Sequence, residues 1–176
     1  PWARLVSVHG TPGNFAFPTA SWAEYMDIQA GNSISHTSLY SSGLANRALS
    51  VKPVIQEEHG LGQEDTLHRQ RVWAAFTSGV AGIGTGGYIA NLMKFLQSGV
   101  RFERMNPDKT LVLAGSAYAL AEKGSAYVFY LSSGGTAKVD LRGATGTFTA
   151  SWFDPRTGAF NSAPAAAGGS TPSYTA

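Results

Sequence analysis

Along the first hundred positions, short apolar runs alternate with longer stretches of helical spacing. RLVSVHG (4–10) reads as a strand. TPGNFAFP (11–18) reads as a loop punctuated by Pro12, Gly13 and Pro18. EYMDIQAG (24–31) is strand-like, although a helix beginning near Ser21 fits the same residues. HTSLYSSGLANRAL (36–49) predicts a weak helix interrupted by Gly43, and KPVIQEE (52–58) a strand. EDTLHRQRVWAAFTS (64–78) predicts a helix capped by Asp65, with Leu67, Trp73, Phe76 and Val80 as a partial apolar stripe. VAGIGTGG (80–87) is a short buried strand entering a glycine turn, and YIANLMKFLQS (88–98) is a helix closed by Gly99. Strands alternating with helices predict parallel pairing through crossover connections.

The pattern changes after Asn106-Pro107-Asp108. Short segments rich in Val, Tyr, Phe and Thr follow, with partial period-2 alternation in AYVFYL and AKVDL. Lys123-Gly124 and Ser133-Gly134-Gly135 predict hairpin turns. The expected organisation is an α/β unit over 1–104, an antiparallel β-sandwich over 105–162, and a Pro/Gly-rich flexible tail over 163–176.

Composition narrows the function classes. With 43% hydrophobic and 14% charged residues, the 176-residue chain is globular. A net charge of +2 without a Lys/Arg cluster argues against nucleic acid, and no stretch is apolar enough to suggest a membrane partner. The absence of cysteine excludes disulfides, thiolate metal sites and cysteine nucleophiles.

The candidate chemistry lies at strand ends. Strand alternation puts Val54, Gln56 and Glu58 on one face and Ile55 and Glu57 on the other, so one of the two acids can face a given site. Glu58, last on its strand, is where an α/β barrel places a catalytic carboxylate. His9 holds the equivalent position after the first strand. His36, His59 and His68 lack the spacing of a metal motif, and no metal or other cofactor is expected. GIGTGG (82–87) matches G-x-G-x-x-G, but the second strand of a dinucleotide-binding unit does not follow. It reads instead as a turn needing small residues and positive φ. SWFDPRTG (151–158) is a turn, with Trp152 and Phe153 as core residues.

KPVIQEEHG resembles the strand-seven segment of retaining (β/α)8 glycoside hydrolases, where Lys-Pro-Val-apolar-x-x-Glu carries the nucleophile. The ordered set SVHG (7–10), WAEYMDIQAG (22–31), KPVIQEE (52–58), RQRVWAAFTSGVAGIGTGG (69–87) and WFDPRTG (152–158) is similar to one group of bacterial enzymes. These are apiosidase-like, DUF4038-type glycosidases with a C-terminal β-domain of collagen-binding type. The resemblance implies the C-terminal half of a (β/α)8 (TIM) barrel followed by that β-domain. It makes Glu58 the nucleophile, sets His9 and Gln29 along the sugar site, and puts His59 beside the nucleophile. Thr85 falls in the loop where the family usually carries Tyr-Gly. The implied partners are an oligo- or polysaccharide and the missing N-terminal half of the barrel, which would carry the acid/base. The implied location of the full-length protein is secreted or periplasmic. The 176-residue chain alone is expected to be inactive. Two other readings stand beside this one: a glycan- or matrix-binding β-module with a non-catalytic α/β partner, and an α/β-plus-β protein without catalysis.

Overall fold

The structure is a computed structural model that describes residues 4–59, 66–84 and 88–176. The chain forms two compact units, residues 1–87 and 88–176.

In the first unit, four parallel strands lie side by side in chain order: β1 (His9–Gly10), β2 (Met26–Gln29), β3 (Val54–Glu57) and β4 (Gly82–Ile83). Helix α1 (His36–Leu49) connects β2 to β3, and α2 (Thr66–Thr77) lies between β3 and β4. The registers His9↔Asp27↔Ile55↔Gly82 and Gln29↔Glu57 fix what each sheet face carries. One face presents Met26, Ile28 and Val54, which form a core with Leu39 of α1 and Ala75 of α2. The other face presents His9, Asp27, Gln29, Ile55 and Glu57.

Several local predictions change. The run 4–10 narrows to two ladder residues; Val6 is held instead by Glu24, whose Oε2 accepts from the Val6 amide at 2.7 Å. Gly43 does not interrupt α1. A Cβ there would lie 2.1 Å from Ser78 Oγ, so the glycine lets α1 pass close to the C-terminal end of α2. Helix α2 has no apolar stripe: Leu67 is exposed, whereas His68, Arg71 and every residue from Val72 to Thr77 are buried. Asp65, expected as its cap, lies outside the described residues.

The second unit opens with α3 (Ile89–Leu96). Eight strands follow: β5 (Asn106–Pro107), β6 (Val112–Ala114), β7 (Tyr118–Glu122), β8 (Ala126–Tyr130), β9 (Thr136–Val139), β10 (Thr147–Asp154), β11 (Ala159–Ala167) and β12 (Ser173–Thr175). All pairing is antiparallel, in the orders β5-β7-β8, β12-β9-β6 and β10-β11. Tyr127 and Phe129 of β8 pack against Ala137 and Val139 of β9 and against Ala119 and Ala121 of β7, so the two three-stranded sheets share an apolar core. Lys123-Gly124 closes the β7–β8 hairpin, with Gly124 at φ 83°. The turn at Gly134-Gly135 has positive φ as predicted, but it is not a hairpin. It carries the chain between sheets, and β9 pairs with β6 and β12.

Residues 163–176, expected as a flexible tail, are β-structure. Ala163 to Ala167 finish β11, and Ser173–Thr175 is β12, whose Tyr174 joins the core beside Ala166. Small residues tolerate close strand packing, and their composition alone suggests a linker. Helix α3 packs on the β10–β11 hairpin through Phe95, whose ring centroid lies 5.2 Å from that of Phe153. Asn91 Nδ2 donates to the carbonyls of Pro155 and Arg156 at 3.0 and 3.1 Å. The Asp154-to-Gly158 turn is as predicted: Asp154 accepts from the Arg156 amide and guanidinium, which holds its carboxyl down at about 2. Phe153 is one of a Phe95–Phe153–Phe160 cluster, and Trp152 meets Tyr174 edge-on at 6.1 Å.

Candidate functional site

The polar face of the parallel sheet gathers its functional groups at the C-terminal strand ends, where loops leave side chains open to ligands. Lys52 and Pro53 lead into β3, and Lys52 Nζ donates to the Ala20 carbonyl, fastening the strand's entry to the loop before β2. The strand then runs through Val54 to Glu57.

At Glu58 the backbone leaves the strand. Its φ is 52°, and it is the one non-glycine residue among those described with positive φ. A side chain there costs about 1 kcal/mol or more against an extended conformation. The turn also overrides simple alternation. Val54 and Gln56 point to the helix side, where Gln56 Nε2 donates to the Leu39 carbonyl at 3.1 Å. Glu58 no longer follows them: its Oε2 accepts a hydrogen bond from Gln29 Nε2. Glu58 therefore reaches the polar face by leaving the strand, not by sharing the face of Val54 and Gln56 as the sequence suggested. Glu57, read as the outward neighbour, lies on the polar face too.

Glu57 and Asp27 lie on the same face of neighbouring strands, one same-face step apart. Burial first, then the Asp27 charge, push the Glu57 carboxyl above the usual glutamate value, with Glu58 adding to the effect; His9 pulls the other way. Asp27 is 8% exposed, and His9 at the neighbouring strand tip is exposed. The structure thus brings Glu58, Gln29, His9, Asp27 and Glu57 to one face.

His59 is not among them. It is 2% exposed, and its ring stacks on that of His68 at 5.8 Å, beneath α2. Burial, then the neighbouring His68 and Arg71, depress its pKa to about 4, so it is neutral at physiological pH. Arg71, 1% exposed, donates through Nε to the Ile34 carbonyl at 2.6 Å and through Nη1 to the His59 carbonyl at 3.5 Å. It thereby ties together the loops that follow Gln29 and Glu58. Thr85 lies outside the described residues.

Gly84 sets the approach of the β4 loop to this site. A Cβ there would lie 2.9 Å from Glu57 Cα. The glycine motif is thus explained, over its described part, by close backbone approach; neither Gly82 nor Gly84 has positive φ. Among the described residues no group of three His, Cys, Asp or Glu side chains is arranged to hold a metal ion.

Asp27 and Glu57 are the site residues that sequence reasoning passed over. The signal was the i, i+2 spacing of Asp27 and Gln29, which on a strand puts both on one face. For Glu57 the signal was alternation itself, which puts it with Ile55 opposite Val54 and Gln56; that Glu58 joins it depends on the backbone angle at Glu58.

No curated protein matches the chain. Residues 107–175, from the end of β5 to the end of β12, match the family model described as "Putative collagen-binding domain of a collagenase".

Proposed function

We propose that the α/β unit carries the nucleophile side of a retaining glycoside hydrolase of the apiosidase-like type, acting on plant or microbial polysaccharide. The observation that carries the reading is the Gln29–Glu58 hydrogen bond across neighbouring parallel strand ends. An amide donor on the Glu58 carboxylate fixes its orientation at the strand end. The chain-order parallel sheet, with helices α1 and α2 in its connections, supports a barrel arc: strands added one after another in one direction are what a (β/α)8 barrel requires. Four strands are half of such a barrel. The reading therefore needs four more, one of them bearing an acid/base carboxyl about 5–5.5 Å from Glu58. In that mechanism Glu58 attacks the anomeric carbon as the acid protonates the leaving oxygen, and water then releases the glycosyl-enzyme. His9 and Gln29 contact sugar hydroxyls. The test is Glu58→Gln in the intact enzyme, assayed on polysaccharide. Turnover is expected to fall on the order of 10³-fold or more; unchanged turnover sinks the assignment.

The family match favours a second reading, in which the β-unit binds a matrix protein or glycan. Residues 88–176, passed over immobilised collagen and over polysaccharide, are then retained on one of them. Elution with the buffer front from both rejects this reading.

A further inference from the structure

Three carboxyl groups meet on the polar face: Asp27, Glu57 and Glu58. Among the described residues no ion pair reaches any of them; the pairs all lie in the second unit, at Arg101, Arg104, Lys123, Arg142 and Arg156. Glu58 has the Gln29 amide as its donor. Asp27 is buried, and its Oδ1 has no donor among the described residues if every carboxyl is ionised. Leaving a buried acceptor unmatched is costly, and leaving a buried charge unmatched is more so.

The register supplies the remedy. Gln29↔Glu57 and Asp27↔Ile55 put Glu57 one step along from Asp27, on the same face of the adjacent strand. Each carboxyl acts on the other's charge across this step, yet two carboxylates have no proton to share. One added proton satisfies the buried oxygen and removes a like-charge contact. We propose that Glu57 holds this proton and donates it to Asp27. Glu57 is the better holder of the proton. Its charge is opposed by burial, by Asp27 and by Glu58, and only the exposed His9 of β1 favours it; the described part of β4 brings no titratable group.

The consequence for ligands follows from donor counts. A carboxylic acid can donate to a hydroxyl or ether oxygen, whereas a carboxylate can only accept. With the Glu57 proton engaged by Asp27, the face offers the second Gln29 N–H as a donor, acceptors at Glu57 and Glu58, and one negative charge fewer. That set fits a neutral polyhydroxylated ligand and disfavours phosphates and carboxylates. The ligand class rests on the sugar-site reading above; the location of the proton does not.

The experiment is carboxyl ¹³C NMR titration of the chain with labelled Asp and Glu, compared with Glu57→Gln and Asp27→Asn. The expected result is one glutamate titrating above the ordinary range, absent in Glu57→Gln and shifted down in Asp27→Asn. Ordinary titration of every glutamate overturns the proposal, as does a raised midpoint that Asp27→Asn leaves in place. Thermal melts check folding. If Asp27→Asn does not fold, the wild type and Glu57→Gln decide: the glutamate signal that titrates above the ordinary range must vanish in Glu57→Gln, and its persistence overturns the proposal. Because turnover is not the readout, failure here is distinct from failure of the glycosidase reading.

Discussion

His59 shows how a residue can stand beside a site in sequence and outside it in space. The stretch Glu57-Glu58-His59 reads as three polar groups at a strand tip, yet the left-handed turn at Glu58 sends the third beneath α2. The positions of His9 and Glu58 at strand tips were legible because strand ends are local properties, while Gln29 came from the family resemblance. Sequence did not carry the burial of His59, which depends on a helix seven residues further on. A pH dependence follows. The folded-state pKa of His59 is depressed from 6.5 to about 4, so the stability of its neutral form is fully present above pH 6.5 and is lost as pH falls towards 4. At about 1.4 kcal/mol per pH unit, the loss reaches about 3 kcal/mol by pH 4. Denaturant melts of the wild type from pH 7 to 4 should show this decline, and His59→Asn should flatten it. A wild-type curve that stays level through pH 5 would count against the burial of His59.

At the scale of elements, the strand-helix alternation was readable and the reasons for it were less so. Gly43 looked like a flaw in α1 because an isolated glycine lowers helix propensity. In the fold it is where two helices touch. The two views predict opposite signs. An exposed helical Gly→Ala gains up to about 1 kcal/mol, whereas a Cβ driven into Ser78 costs about 1–3 kcal/mol. Equilibrium unfolding of Gly43→Ala is expected to show the loss. Helix α2 hid its environment because the polar His68 and Arg71 are themselves buried, by packing that its own periodicity does not encode. The alanine- and glycine-rich residues from 163 onward misled for the related reason that small side chains serve linkers and tight strand pairs equally well.

At the scale of the molecule, the second unit runs from Tyr88 to Ala176. A boundary drawn from composition, at residues 105–162, omits α3, the end of β11 and all of β12. Those pieces bring the Phe95 contact, both Asn91 hydrogen bonds and the β9–β12 pairing. Residues 88–176 expressed alone should therefore melt cooperatively, while residues 105–162 should show little dispersion in an amide NMR spectrum. Equal dispersion from the shorter fragment would mean that α3 and β12 are ornaments of the fold. The arc of parallel strands was legible because its connections are local.

The left-handed backbone at Glu58 also bears on protein engineering. A glutamate is a poor tenant of that conformation, and glycine or asparagine is a better one. Screens for thermostability should therefore favour replacing Glu58, with gains of up to about 1 kcal/mol in Glu58→Gly offset in part by the lost Gln29 contact. At Glu58 the role proposed for the carboxylate and the stability of the turn pull in opposite directions.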